Sequence, residues 1–548
     1  MKKAHLVLFA VSFLVAACSS TGNTIDNSPP EADEPVSEVI ETPRTAPTDW
    51  HHLSSDSEYT GAGTEKTYSE ILGNKTPSKK VIVAIIDSGT DIEHEDLAGN
   101  IWVNEDEIPG NGIDDDENGY VDDVHGWNFI GGKDGNNVDK DTYELTRVYL
   151  KLRDKFKGKS SSDFSPQEKE EYQYYQTIKA EFDEKRAEAK TSFENLQNVK
   201  NAIDGAKNIF KVSSIDSVSN KELEPNYNDG AYRKQAKQII KYFRDLDVTE
   251  EDINDAYKQF DKMYNYAYNP DFDPRDIVGD DFEDLENRFY GNNDVEGPRS
   301  DHGSHVAGIV GAIRNNDLGM NGIADYVSLM IVRTVPDGDE RDKDVANAIR
   351  YAVENGADII NMSFGKAYSP RKFYVDEAFK FADENDVLLV TGSGNSAENI
   401  DSTISYPNKF YEDGGMMKNF LSVGASSWMG DSLLAADFSN YGMRVDLFAP
   451  GVDIYSATPN DTYESFDGTS MASPAVAGAA ALLMAYYPNL SAHDVKTILL
   501  ETVTKPSNVV YKPGSDQAVS FSSLSSTGGI LNIFEAFKLA EIKSSGSN

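Results

Sequence analysis

Short, unbroken apolar runs recur in two stretches of this chain. VIVAIID (81–87), YVSLMIV (326–332), ADIINMS (357–363), VLLVTGSGN (387–395) and FLSVGA (420–425) are dominated by β-branched and large aliphatic residues, without polar alternation. Runs of this length and composition suit strands buried on both faces. Between them, KDVANAIRYAVENG and VDEAFKFADEND carry apolar residues at helical spacing. Strand, helix, strand, helix in this rhythm predicts an α/β fold, three layers deep, with a mostly parallel central sheet covered by helices on both sides. Functional residues in such a fold gather just past the carboxyl ends of strands. Asp87, Ser363 and the stretch Gly392–Asn395 stand there.

From about 141 to 290 the rhythm stops. This segment is rich in Lys, Glu, Gln and Tyr and carries helix-start signals, Ser165-Pro166-Gln167-Glu168 and the weaker Thr249-Glu250-Glu251-Asp252. It predicts an all-α insertion between two parts of one domain, 50–140 and 291–548. The insertion has no catalytic motif of its own, and its role as lid, docking surface for an unknown partner or decoration is open. At the other end, MKKAHLVLFAVSFLVAAC has a basic start, an apolar run and small residues before Cys18. That pattern predicts a signal peptide over 1–17. LVAAC resembles a bacterial lipobox, with Cys18 lipidated and the chain anchored to the cell envelope. Residues 18–49 are acidic and Pro-rich, a tether. The stretch DWHHLSSDSEYTGAGTEKTYSEIL that follows is expected to stay packed on the catalytic domain rather than to leave as a propeptide.

Charge and cysteine content narrow the partners. The 548 residues hold 51 basic and 92 acidic side chains, a net charge of −41, which argues against nucleic acid and anionic lipid surfaces. Cys18 is the sole cysteine, so the folded part has no disulfide.

The chemistry is concentrated in three motifs. DGTSMASPAVAG (467–478) puts Ser470 at the mouth of a very apolar helix. Helix capping alone would explain one serine there, and a nucleophile at a positive helix end would explain it equally. A serine nucleophile needs a base and an orienting carboxylate. DHGSHVAG (301–308) supplies His302 at the head of a small-residue helix, and VIVAIIDSGTD supplies Asp87 at a strand end. VIVAIIDSGTD, HGSHVAGI and GTSMASPAVAGAAAL, in the order Asp, His, Ser, resemble the signature motifs of the subtilisin-like serine peptidases. NMSFG and VTGSGN resemble that family's substrate-binding and oxyanion segments.

The resemblance covers roughly 80–140 and 297–500. It implies a subtilisin-like fold and peptide-bond hydrolysis by Asp87, His302 and Ser470, with Asn395 donating to the oxyanion beside the Ser470 N–H. Ser363, Phe364 and Gly365, with Gly392, Ser393 and Gly394, would wall the primary specificity pocket, and protein or peptide would be the substrate. His305 reads as structural.

Calcium is the expected cofactor. In IDDDENGYVDD (113–123), Asp114, Asp116, Asn118 and Asp122 fall at positions 1, 3, 5 and 9 of an EF-hand-like loop, with the Tyr120 carbonyl at position 7. His125 stands where that loop has its glutamate, so another residue must complete the site, Asp123 being the candidate. The family resemblance implies a second site at Asp96 with the loop holding Asn315 and Asn316. The alternative to an exported, calcium-stabilised serine endopeptidase is a lipid-anchored peptide-binding or adhesin protein on a gated or inactive protease fold.

Overall fold

The computed structural model describes residues 45–545 except 74, 161 and 163; the signal peptide, Cys18 and most of the tether lie outside the described residues. The described chain divides into two units, a helical one over 145–272 and an α/β one formed by 44–144 with 273–548.

The apolar runs form the sheet. β1 (Val81–Asp87), β2 (Gly126–Asn128), β3 (Val327–Arg333), β4 (Ile359–Met362), β5 (Leu388–Gly392), β6 (Phe420–Ser426) and β7 (Leu447–Pro450) lie in the order β2-β3-β1-β4-β5-β6-β7. Every pairing is parallel, with Val81 opposite Val327 and Val83 opposite Ile359. The unbroken hydrophobicity of β1 follows from burial on both sides. Val81, Val83 and Ile85 belong to one core, and Ala84 and Ile86 to another.

Helices α1 (Asp301–Gly311) and α4 (Thr469–Tyr486) contribute to the first core, and α2 (Asp342–Glu354) and α3 (Lys372–Glu384) to the second. Helix α4 is apolar enough to cross a membrane by composition, yet it is packed against β1, β4–β7 and α1. Gly478 lets it approach α1 closely, a Cβ there lying 2.9 Å from Ile323 and 3.3 Å from the Val310 carbonyl oxygen. The strand order runs outward in opposite directions from the β1–β4 boundary, and Asp87 closes β1 at that crevice.

The segment after the tether is part of this unit. Trp50 is fully buried in the first core, and its indole N–H donates to the Val452 carbonyl at 3.1 Å. The Ala62 N–H bonds the His51 carbonyl, and the Ala62 carbonyl accepts from Ile533 N–H.

The helical unit has its own core, built from Leu196, Val199, Ile203, Ile239, Ile240, Phe243 and Ile253. Its longest helix, Pro166–Phe210, starts with the capping box read from the sequence: Ser165 Oγ accepts from Glu168 N–H, and Glu168 caps Ser165 N–H. Thr249 and Asp252 form a second such box. Entry and exit of the unit are joined by Thr146 Oγ1, which donates to the Ala267 carbonyl at 2.7 Å. Residues 273–290, read from composition as part of the insertion, belong to the α/β unit. Buried ion pairs hold them there. Arg275 bonds both Asp280 and Asp344, and Tyr290 OH donates to Asp344.

Candidate active site

Asp87 ends the buried β1 and is 2% exposed. Its Oδ1 accepts from His302 Nδ1 and from Ser88 N–H, both at 2.7 Å, while Oδ2 is buried without a partner. His302 stands in the first turn of α1. That helix comes close because Gly303 lies against Gly89: a Cβ on Gly303 would sit 2.0 Å from the Gly89 carbonyl oxygen. His302 stays one-third exposed toward the cleft. Burial disfavours its protonated form, but the charge of Asp87 and the hydrogen bond to it outweigh that, so its pKa is raised above the ordinary histidine value.

Ser470 opens α4, and with His302 and Asn395 it lines one recess. In this structure Ser470 Oγ donates to the Ser363 carbonyl at 3.2 Å. The Ser470 N–H lies in the first helical turn, where no i−4 carbonyl of the helix serves it. Asn395 is oriented by Thr469. Thr469 N–H and Oγ1 both donate to Asn395 Oδ1 at 2.9 Å, which assigns the amide oxygen to that side and leaves the NH2 for the recess. Gly394 carries this geometry with φ +105°, and its N–H bonds Thr469 Oγ1.

Ser363 is held by its own network, its Oγ accepting from Asn361 Nδ2 and donating to the Ser470 carbonyl, both at 2.9 Å. Phe364 turns to the second core, where it is partly buried. Gly392 abuts Thr469 so closely that a Cβ would meet its carbonyl oxygen at 2.9 Å, and Ser393 N–H bonds the Val423 carbonyl. His305 is fully buried, stacked on Phe466 at 4.3 Å with Nε2 on the Glu464 carbonyl, and burial takes its pKa down to about 3. It remains neutral and structural.

The acidic loop offers a cation site, with a member the motif did not contain. Ligand oxygens of Glu107, Asp114 and Asp116 lie within 4.8 Å of one another. Glu107 is 5% exposed; its Oε1 accepts from Asp115 N–H and its Oε2 is buried with no partner. An orphaned buried carboxylate oxygen beside two further carboxylates fits a hard divalent ion. Hydrogen bonds order the whole loop: the two Asp114 oxygens accept the Asn118 and Gly119 N–H groups. Both Asp122 oxygens accept backbone N–H groups, of Asn111 and Gly112. Asp123 accepts from Asn104, Asn118 and Tyr351 OH. Asn118 caps Asp116, and the Tyr120 ring anchors the loop on Trp127. Glu107 lies upstream of the repeat, and only its acidity in EDEIPGNGIDDD could have signalled it.

The Asp96 carboxylate accepts from Asn316 Nδ2 at 2.7 Å and Met320 N–H at 3.1 Å, with Tyr463 OH at 3.4 Å, and among the described residues it is not grouped with two further acidic or histidine ligands as Glu107 is. The Asn315 backbone N–H donates to Asn321 Oδ1.

A doubly covered parallel sheet with serine, histidine and aspartate at its carboxyl edge defines the class of α/β serine hydrolases. The subtilase family profile matches residues 78–522, and the chain belongs to that family. It is 37% identical over 214 residues to subtilisin DY of Bacillus licheniformis, covering 38% of this chain and 73% of that protein. It is 34% identical over 295 residues to the thermophilic serine proteinase of Bacillus sp. (strain AK1), covering 50% and 68%. It is 37% identical over 228 residues to the cell wall-associated protease of Bacillus subtilis (strain 168), covering 41% and 24%. Among solved structures, a protease of Pseudoalteromonas arctica PAMC 21717 aligns over 45% of this chain and 78% of that one, at 25% identity and a TM-score of 0.38.

Proposed function

We propose that this subtilisin-family serine peptidase is an exported endopeptidase that cleaves peptide bonds through Asp87, His302 and Ser470. The observation that carries the reading is the 2.7 Å bond from His302 Nδ1 to buried Asp87, on the same cleft as Ser470. Asp87 keeps the proton on Nδ1, so Nε2 presents its lone pair. Ser470 Oγ leaves the Ser363 carbonyl, passes its proton to Nε2 and attacks the scissile carbonyl carbon. The oxyanion is met by the Ser470 N–H and the Asn395 amide. His302 then gives the proton to the departing amine, and a water deprotonated by His302 hydrolyses the acyl-enzyme. Ser363–Gly365 and Gly392–Gly394 bind the acyl half of the substrate as an added strand.

Calcium is assigned to Glu107, Asp114 and Asp116, where its charge would tie the 104–123 loop together; no catalytic step passes through it. Export and a lipid anchor rest on the LVAAC motif at Cys18, and one relative is named a cell wall-associated protease.

Labelling by a fluorophosphonate probe, with Ser470→Ala as control, tests the reading. Labelling that depends on Ser470 is the expected result. A folded protein that never labels would overturn it in favour of peptide binding.

A further inference from the structure

The recess at the nucleophile has a wall that hydrolysis itself leaves unused. A cavity of about 400 Å3 is bordered by His302, Asn395, Ser470 and Phe466, and also by Asp453 and Asp467. Neither Ser363–Gly365 nor Gly392–Gly394, the segments read as holding the acyl half, borders it. The cavity therefore lies on the other side of the scissile bond, where His302 delivers the proton to the departing amine.

The charged groups of that wall, apart from the catalytic histidine, are anionic. Both aspartates are exposed. They are also fixed relative to each other: Asp453 N–H donates to Asp467 Oδ1 at 2.7 Å, and Trp428 Nε1 donates to Asp453 Oδ2 at 2.6 Å. Among the described residues no lysine or arginine pairs with either carboxylate, so their charge is uncompensated within the α/β unit. Desolvation raises the Asp467 pKa above the ordinary carboxylate value; the hydrogen bond from Asp453 N–H opposes the rise and the like charges of Asp453 and Asp437 add to it.

We infer that Asp453 and Asp467 select substrates with lysine or arginine at the first two positions after the scissile bond. The inference rests on the acyl-transfer reading of Ser470. A basic side chain entering this cavity relieves the crowding of like charge, whereas an acidic one adds to it, so discrimination comes from attraction and repulsion together. For exposed, salt-screened pairs each contact is worth up to about fivefold, which makes tenfold or more between arginine and glutamate a fair scale for two carboxylates.

The test uses internally quenched peptides with one common acyl half and arginine, alanine or glutamate at both leaving-side positions, with the cleavage position read by mass spectrometry. The p-nitroanilide of the same acyl half, which has no leaving-side residue, runs beside them. The expected order of kcat/KM is arginine, alanine, glutamate, spanning tenfold or more and narrowing at about 0.5 M salt. In the double variant Asp453→Asn, Asp467→Asn the arginine-to-glutamate ratio falls toward one, whatever the absolute rates. If the anilide is hydrolysed while the three peptides react alike, or if the ratio survives in the double variant, the inference is overturned and the catalytic reading stands. If neither anilide hydrolysis nor probe labelling occurs, the reading of Ser470 falls and takes the inference with it.

Discussion

Replacing Asp87 by asparagine isolates what the buried carboxylate does. The amide has two ways to sit. With its oxygen in the Oδ1 position it keeps the bonds from His302 Nδ1 and Ser88 N–H, but its NH2 then occupies the Oδ2 position, which is buried and without a partner. An unsatisfied buried donor costs about 1–3 kcal/mol. With the amide reversed, NH2 faces His302 Nδ1 and draws the histidine into the tautomer protonated on Nε2, which cannot accept the Ser470 proton; Ser88 N–H also loses its acceptor. In both arrangements the imidazolium of the transition state loses the facing negative charge. The expected fall in turnover is about 10⁴-fold, close to 5.5 kcal/mol in activation free energy. The assay is the pH dependence of kcat/KM on an anilide substrate. In the wild-type enzyme activity declines as pH drops through the raised pKa of His302, because the base becomes protonated. In Asp87→Asn that acid limb moves to lower pH, since the negative charge that raises the pKa is gone in either arrangement. A fall of less than tenfold, or an acid limb that stays in place, would refute the reasoning.

Other consequences are independent of this one. Asn395→Leu should lower kcat by about 10²–10³ with KM little changed, because the lost donor serves the oxyanion rather than the bound substrate. Calcium should raise the thermal unfolding midpoint and Glu107→Gln should reduce that gain, read by calorimetry with and without chelator; an unchanged calcium response in the variant would remove Glu107 from the site. Trp50→Ala should lower stability by about 3–5 kcal/mol in urea unfolding, since a fully buried indole is deleted from the first core. His51, His52 and His305 are buried with pKa values pushed far down, mainly by desolvation. The unfolded chain therefore takes up protons on these histidines below about 6.5 while the folded one resists down to about 3 for His52 and His305. Stability is lost as pH falls through that window, with up to about 4 kcal/mol per pH unit from the three together. Potentiometric proton uptake on unfolding near pH 5 would check it.

That Asp87, His302 and Ser470 would come together was readable because each of them sits in a local context that the sequence spells out. Asp87 ends an unbroken apolar run, and His302 and Ser470 each head a helix of small residues that only close packing requires. Bonds between distant segments were not readable. Arg275 looks like an ordinary insertion residue until its guanidinium is seen between Asp280 and Asp344. The spacing of the acidic loop suggested its own carboxylates as ligands and gave no sign of Glu107, which lies outside the repeat and leaves an oxygen bare beside Asp114 and Asp116. At Asp96 the amide of Asn316 donates to the carboxylate, a bond across more than two hundred residues that periodicity does not announce.

The bond between Thr146 and Ala267 bears on how such an insertion could be acquired at all. Strands β1 and β3 are neighbours in the sheet although the whole helical unit lies between them in sequence. A chain that had to close this loop as coil would carry the added length directly into its folding entropy. Once the helical unit forms on its own core, its ends meet, and the effective loop is roughly halved, a difference of about 0.6 kcal/mol. For the α/β fold the insertion thus amounts, in chain closure, to a short detour.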